Sequence, residues 1–260
     1  MQRDAVVGAA RFLWAAWQER RLVEALPEPL RPRTVDEGYA IQDALADLAG
    51  PGIGWKIAAT SKDGQKHIGV DEPLAARLFQ RFAHGDGAVL PAGFLHMRVA
   101  EAEFAYRMGR DLPARGRPYS LDEVMAAVDT LHLAIEVPDS RYRDFARVGA
   151  PQIVAEDACA CFFVLGPEAK GWRGVDLSRH PVSLFKNGAL AGTGSGANVL
   201  GDPRVALTWL ANDRAKREPA LKTGDVITTG TCVKPVTIGP GDKVTADFGA
   251  LGQVSASFTE

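Results

Sequence analysis

Hydrophobic and polar positions along this chain repeat with two different periods. Over the first fifty residues the spacing is helical. Val6, Ala9, Ala10, Leu13, Ala16 and Trp17 recur every three to four positions, which lays apolar groups along one stripe of a helix. After the proline-rich break LPEPLRPR, Thr34 and Glu37 have the S/T-x-x-E spacing of a capping box. Ile41, Leu45 and Leu48 predict one apolar face for the helix that follows, and AGPGIG ends it. From Trp55 onward the period shortens to two. GWKIAAT sends Trp55 and Ile57 to one side and Lys56 and Ala58 to the other. SKDGQKHIGVDE then reads as a polar loop, and RVAEAEFAYRM as the next strand. Ser120 and Glu123 open a helix over LDEVMAAVDT. LHLAIEV is a strand with Leu131, Leu133, Ile135 and Val137 on one face and His132, Ala134 and Glu136 on the other. ACACFFVLG reads as a further strand, with Cys159 and Cys161 on one face.

Asp202 and Pro203 supply the cap and first position of a helix over PRVALTWLANDRA. The last forty residues alternate β-rich runs with Gly-Asp turns, which predicts a meander of antiparallel strands. No regular βαβ alternation appears, which argues against a doubly wound sheet. The pattern predicts an α+β protein dominated by β structure. An N-terminal helical segment over residues 1–52 precedes one continuous β-rich unit over 53–260.

Composition narrows the function classes. The 260 residues are 46% hydrophobic and 24% charged, with a net charge of −2, ordinary values for a soluble globular chain. No basic run or basic, aromatic-rich stripe points to nucleic acid. The first twenty residues could pass for a signal peptide, but Arg11 breaks the apolar run and charges close it. No apolar run approaches a membrane span. Three cysteines, at 159, 161 and 232, are too few for a disulfide framework and fit a reducing compartment. A cytoplasmic location is expected.

One short stretch stands out against this background. RVAEAEFAYR places Glu101 and Glu103 inside an apolar run. On a strand they share a face, roughly 7 Å apart, opposite Ala100, Ala102, Phe104 and Tyr106. Two converging carboxylates repel, and one tends to stay protonated. A divalent cation removes that conflict, and Mg²⁺ favours such oxygen ligands. Glu136 offers a third acid, since it too lies opposite an apolar face. A solvated polar sheet face is the competing account.

Beyond these residues, the chain resembles the fumarylacetoacetate hydrolase superfamily, and most closely its 2-keto-4-pentenoate hydratase arm. The resemblance rests on GWKIAAT, GVDEP followed by LF, AEAEFA, AIEVPDSR, VAEDACACFFVLG, VLGDPRVALTWLA and LKTGDVITTG, in that order over nearly the whole length. It implies a mixed β-sheet roll or sandwich and Mg²⁺ or Mn²⁺ on Glu101, Glu103 and Glu136. It further implies an acid/base pair at Lys56 and Asp71, a small-molecule 2-oxo acid as substrate, and a homo-oligomer. A lysine beside a metal in a partly dry pocket is expected to have a lowered pKa. Asp71 is alternatively a helix cap before EPLAARLF, and Lys56 a surface lysine.

Weaker signals surround these. His67 lies between Lys56 and Asp71 and is a candidate for activating water. Arg141 is a candidate for the substrate carboxylate, or for an ion pair with Asp139 or Asp144. Thr231 is a candidate pocket residue. AGTGSGAN, residues 191–198, lacks the Walker lysine and reads as a glycine-rich turn bordering the pocket. TGTCVKP is shorter than the corresponding segment of the hydrolytic arm, which favours the hydratase arm. The implied activity is addition of water to a 2-hydroxydienoate to give a 4-hydroxy-2-oxo acid. The alternatives are a 2-oxo-3-enedioate decarboxylase, an acylpyruvate or β-diketone hydrolase, and a non-catalytic scaffold subunit.

Overall fold

A computed structural model describes residues 1–260. In chain order the elements are α1 (Arg3–Gln18), α2 (Val35–Ala49), β1 (Gly52–Ala58), α3 (Lys62–Ile68), β2 (Leu74–Phe79), β3 (Ala83–Gly85), β4 (Ala88–Pro91) and β5 (Val99–Met108). These are followed by α4 (Leu121–Met125), β6 (Val128–Val137), α5 (Ala150–Ala155), β7 (Phe162–Glu168), β8 (Pro181–Lys186) and β9 (Ala189–Ser195). The last are α6 (Pro203–Arg214), β10 (Val226–Thr231), β11 (Val236–Thr237), β12 (Lys243–Asp247) and β13 (Gln253–Thr259).

Two mixed sheets form the body. The larger runs β2-β1-β10-β5-β6-β7-β3, with β11 also paired to β5; the smaller runs β4-β13-β12-β8-β9. Most neighbours are antiparallel, but β1 pairs β10, β3 pairs β7 and β4 pairs β13 in parallel. One core of 68 buried residues runs from Ala9 to Phe258. The α1 stripe supplies Ala9, Ala10, Leu13, Trp14, Ala16 and Trp17 to it, and the Trp17 indole stacks on Phe82 at 5.0 Å. Each predicted core position on β5, Ala100, Ala102, Phe104 and Tyr106, is 0% exposed.

Helix starts follow the sequence signals. Thr34 accepts the Glu37 N–H, Ser120 and Glu123 complete a reciprocal box, and Asp202 accepts the Arg204 N–H. Several expectations are corrected. SKDGQKHIGVDE is not all loop: Ser61 caps α3, and the left-handed Gly69 closes it. LDEVMAAVDT is helical only to Met125, because its β-branched end joins β6. Leu48 is 38% exposed, since the core face of α2 is formed by Tyr39, Ile41, Leu45 and Ala49 instead. The strand within ACACFFVLG starts at Phe162, so Cys159, in a turn, and Cys161 both precede it and share no strand face.

The C-terminal strands are not a simple meander either. β10 inserts between β1 and β5 in the larger sheet, while β12 and β13 belong to the smaller. AGTGSGAN is largely strand, forming β9. A Cβ on Gly194 would fall 1.9 Å from the Cys232 carbonyl oxygen, and one on Gly192 2.8 Å from Val233. Glycine here permits close packing on the segment after β10. Asn198 follows and donates to the Cys232 carbonyl at 2.7 Å.

Candidate metal and active site

The larger sheet places the chemistry on four neighbouring strands. Antiparallel register sets Glu101 of β5 directly opposite Glu136 of β6, and Glu103 opposite Thr231 of β10. Lys56 comes from β1, on the far side of β10. By register Lys56 lies across from Thr228, Ala105 and His132, so Glu136 is three strands over and four residues further along β6. Lys56 Nζ nevertheless meets Glu136 Oε1 at 2.5 Å.

These charges are not solvated. Lys56, Glu103 and Glu136 are 4%, 1% and 2% exposed, and Glu101 is partly buried. One ligand atom from each of the three glutamates lies within 4.8 Å of the others. Burial and the Glu136 charge push Glu101 up to about 7, against the opposing pull of Lys56. Burial and the other two carboxylates hold Glu103 well above the ordinary range. Glu103 Oε2 accepts the Thr228 hydroxyl and the Gly230 N–H, the latter at 2.7 Å. Glu103 Oε1 is buried with no hydrogen-bond partner. Three converging hard-oxygen donors and one unclaimed buried oxygen fit a divalent cation.

Lys56 departs from expectation. Burial alone would lower it, but Glu136, Cys159 and Glu101 outweigh burial and hold it above its ordinary value. Its ammonium also donates to the Ala158 carbonyl at 3.1 Å. That carbonyl is aimed by a left-handed turn: Asp157, Ala158 and Cys159 have φ of 71°, 44° and 61°, values costly for residues other than glycine. Glu156 pins the same turn from behind.

A cavity of about 920 Å³ opens over this cluster. Lys56, the three glutamates, His67, Cys159, Gly230 and Thr231 line it, beside apolar Ile57, Met97, Val99, Phe145 and Ile153. His67 enters from α3 and meets the Phe145 ring edge-on at 5.6 Å. Thr231 faces the cavity while its hydroxyl donates to the Val233 carbonyl at 2.5 Å.

Two candidate residues do not join them. Arg141 is 2% exposed and outside the cavity lining. It pairs with Glu156 at 3.5 Å, not with Asp139 or Asp144, and stacks 4.1 Å from the Trp17 ring. A guanidinium so enclosed is not available to a substrate carboxylate. Asp71 is exposed in the bend between α3 and β2, also outside the lining. Gly69 ends α3, and the chain turns away before Asp71. Nor does Asp71 cap a helix, since LAARLF is strand β2. The three cysteines are buried free thiols.

Sequence reasoning missed Thr228, Gly230 and the Ala158 carbonyl. Glycine inside the strand pattern of VITTGT was the available signal for the first two, because it marks a bulge. Nothing in the sequence pattern flagged a backbone carbonyl.

Residues 64–259 match the fumarylacetoacetate (FAA) hydrolase C-terminal family. The chain is 35% identical over 261 residues to 2-keto-4-pentenoate hydratase of Burkholderia vietnamiensis, covering 99% of this chain and 98% of that one. It is 34% identical over 262 residues to 4-oxalocrotonate decarboxylase of Pseudomonas putida, with coverage of 99% and 98%. The solved 4-oxalocrotonate decarboxylase of Pseudomonas putida G7, complexed with magnesium and adipate, superposes with a TM-score of 0.91 at 30% identity, covering 99% of this chain and 98% of that one. The chain belongs to the fumarylacetoacetate hydrolase family.

Proposed function

We propose that this protein is a divalent-metal-dependent hydratase that adds water to a 2-hydroxydienoate, or its 2-oxo-enoate tautomer, to give a 4-hydroxy-2-oxo acid. The observation that carries this reading is a trio of glutamates, two buried and one partly buried, with one unclaimed oxygen on Glu103, beside a buried lysine in an open cavity. The hydratase names among the relatives agree with it.

Glu101, Glu103 and Glu136 would hold Mg²⁺ or Mn²⁺. When bound, that ion supplies Lewis acidity toward the carboxylate and C2 oxygen of the substrate. Lys56 Nζ, kept protonated by Glu136, is poised to give a proton to the carbon skeleton and to take one back, a role worth about 10²- to 10⁴-fold. His67, on the cavity wall, is the histidine available to activate water there. Gly230 and Thr231 form the wall next to Glu103. Ile57, Met97, Val99 and Ile153 present an apolar surface to the substrate's hydrocarbon part and restrict bulk water.

A decarboxylase of 2-oxo-3-enedioates is the second reading, favoured by the likeness to the Pseudomonas enzyme. A substrate panel with Mg²⁺ separates the two. Loss of dienol absorbance without CO₂ release, abolished by a chelator, is expected for a monocarboxylic 2-hydroxydienoate. Stoichiometric CO₂ from an enedioate would replace the hydratase reading by the decarboxylase, and turnover unaffected by the chelator would remove the metal from either.

A further inference from the structure

The two oxygens of Glu103 live in different surroundings although they belong to one carboxylate. Oε2 receives two donors, the Thr228 hydroxyl and the Gly230 N–H. Oε1 receives none and is shut away from solvent. A buried carboxylate ordinarily finds partners for both oxygens, so the asymmetry requires a cause.

The cause lies in β10. Thr228 pairs with Ala105 of β5, while Thr231 pairs with Glu103. Three steps along β10 therefore match two along β5, which is a β-bulge with one extra residue. The bulge turns the Gly230 N–H out of the ladder and toward the Glu103 carboxylate. Only glycine suits this position. Its φ is +104°, and a Cβ there would lie 1.9 Å from Thr60 Oγ1. Both ends of the bulge are tied down. The Thr229 hydroxyl donates to the Phe104 carbonyl at 3.1 Å, and the Cys232 N–H donates to the Ala102 carbonyl at 2.8 Å. The donors thus come from a fixed piece of backbone and from a β-branched side chain with few rotamers.

We propose that Thr228 and Gly230 are positioning residues that hold Glu103 by Oε2 and so reserve Oε1 alone for the cation. This inference rests on the proposed metal site. Groups that orient a metal ligand change metal affinity typically 10- to 100-fold when removed. Thr228 lies outside the cavity lining and acts through Glu103; the Gly230 N–H is spent on the same carboxylate.

The test measures binding of Mg²⁺ alone by titration calorimetry, with thermal unfolding of the metal-free proteins alongside. Thr228→Val keeps the shape and removes the donor; Thr228→Ser keeps the donor and removes a methyl. Mg²⁺ affinity is expected to fall about tenfold or more in Thr228→Val and to return to within about threefold of the parent in Thr228→Ser, a difference a purely structural threonine would not make. Thr228→Val binding within about threefold of the parent would overturn the proposal. So would equal weakening in both variants, which would assign the effect to packing. A parent protein that binds no Mg²⁺ or Mn²⁺ would instead overturn the metal reading, and this inference with it.

Discussion

Glu103 and Glu156 are carboxylates of almost equal burial, 1% and 0% exposed, in surroundings of opposite kinds. Glu156 is fully engaged. Its Oε1 accepts from the Ser140 hydroxyl at 2.5 Å and the Cys159 thiol at 3.6 Å. Its Oε2 accepts the Arg141 N–H at 2.7 Å and faces the Arg141 guanidinium at 3.5 Å. One anion meets one cation, and no oxygen is left over. Around Glu103, three carboxylates share one ammonium, and one oxygen has no partner. A buried charge that is balanced and hydrogen-bonded serves the fold. A buried excess of negative charge is destabilising by itself and persists where a ligand completes it.

The largest effect comes from breaking the open cluster. Glu101→Gln is expected to lower turnover by about 10²-fold or more, since the proposed cation would lose one ligand. The same change removes a repulsion, so the metal-free variant is expected to unfold at a higher temperature than the metal-free parent. Steady-state kinetics and calorimetric melting in chelator check the two signs. A variant less stable than its parent without metal would undo the contrast.

Breaking the closed cluster is expected to act on stability instead. Glu156→Gln strands the Arg141 guanidinium in a buried site, at a cost of about 3–5 kcal/mol, read from urea unfolding. The folded fraction is expected to keep its Mg²⁺ affinity. An unchanged midpoint would show that the pair is not the structural element its geometry indicates.

A smaller effect sharpens the boundary between the two kinds. Asp157 has one oxygen on the Arg77 N–H at 2.8 Å and one with no partner, but no second acid joins it in a ligand cluster. Burial pushes it up to about 7, against the opposing effects of the Arg77 N–H, Arg77 and Lys56. Its unfolded value is about 3.9. The folded state therefore binds the proton more tightly, and this contribution is full below about pH 4 and lost as pH climbs through 7. Asp157→Asn keeps the shape and the acceptor and removes the charge. The melting temperature of the variant is expected to exceed the parent's by a margin that opens between pH 4 and 7 and is flat above. A margin independent of pH would refute the assignment.

The contrast also explains what could be read in the sequence. Period-two spacing was enough to put Glu101 and Glu103 on one face, and LHLAIEV was enough to put Glu136 opposite an apolar face, because strand geometry is local. The partner of Arg141 was not legible. Glu156 is 15 positions away, and the two meet only after α5, which Glu156 ends, brings the chain back. The direction of the Lys56 shift failed for a similar reason, since it depends on Glu136, Cys159 and Glu101 arriving from three other segments. Asp71 was placed by motif, but Gly69 turns the chain outward before it. Of the fold, helix caps and strand periods were visible. The insertion of β10 between β1 and β5 was not, because it is a long-range pairing with no local signature.

The direct pairing of Glu101 with Glu136 has a consequence for biogenesis. A slip of one residue in either strand would turn that strand's acids toward the side of Phe104 and Ile135 and scatter the proposed ligand set. A misregistered chain therefore has no chelating site. If the proposed cation binds only the registered sheet, it would favour that alignment by RT ln(1 + [L]/Kd), so the metal would proofread strand register.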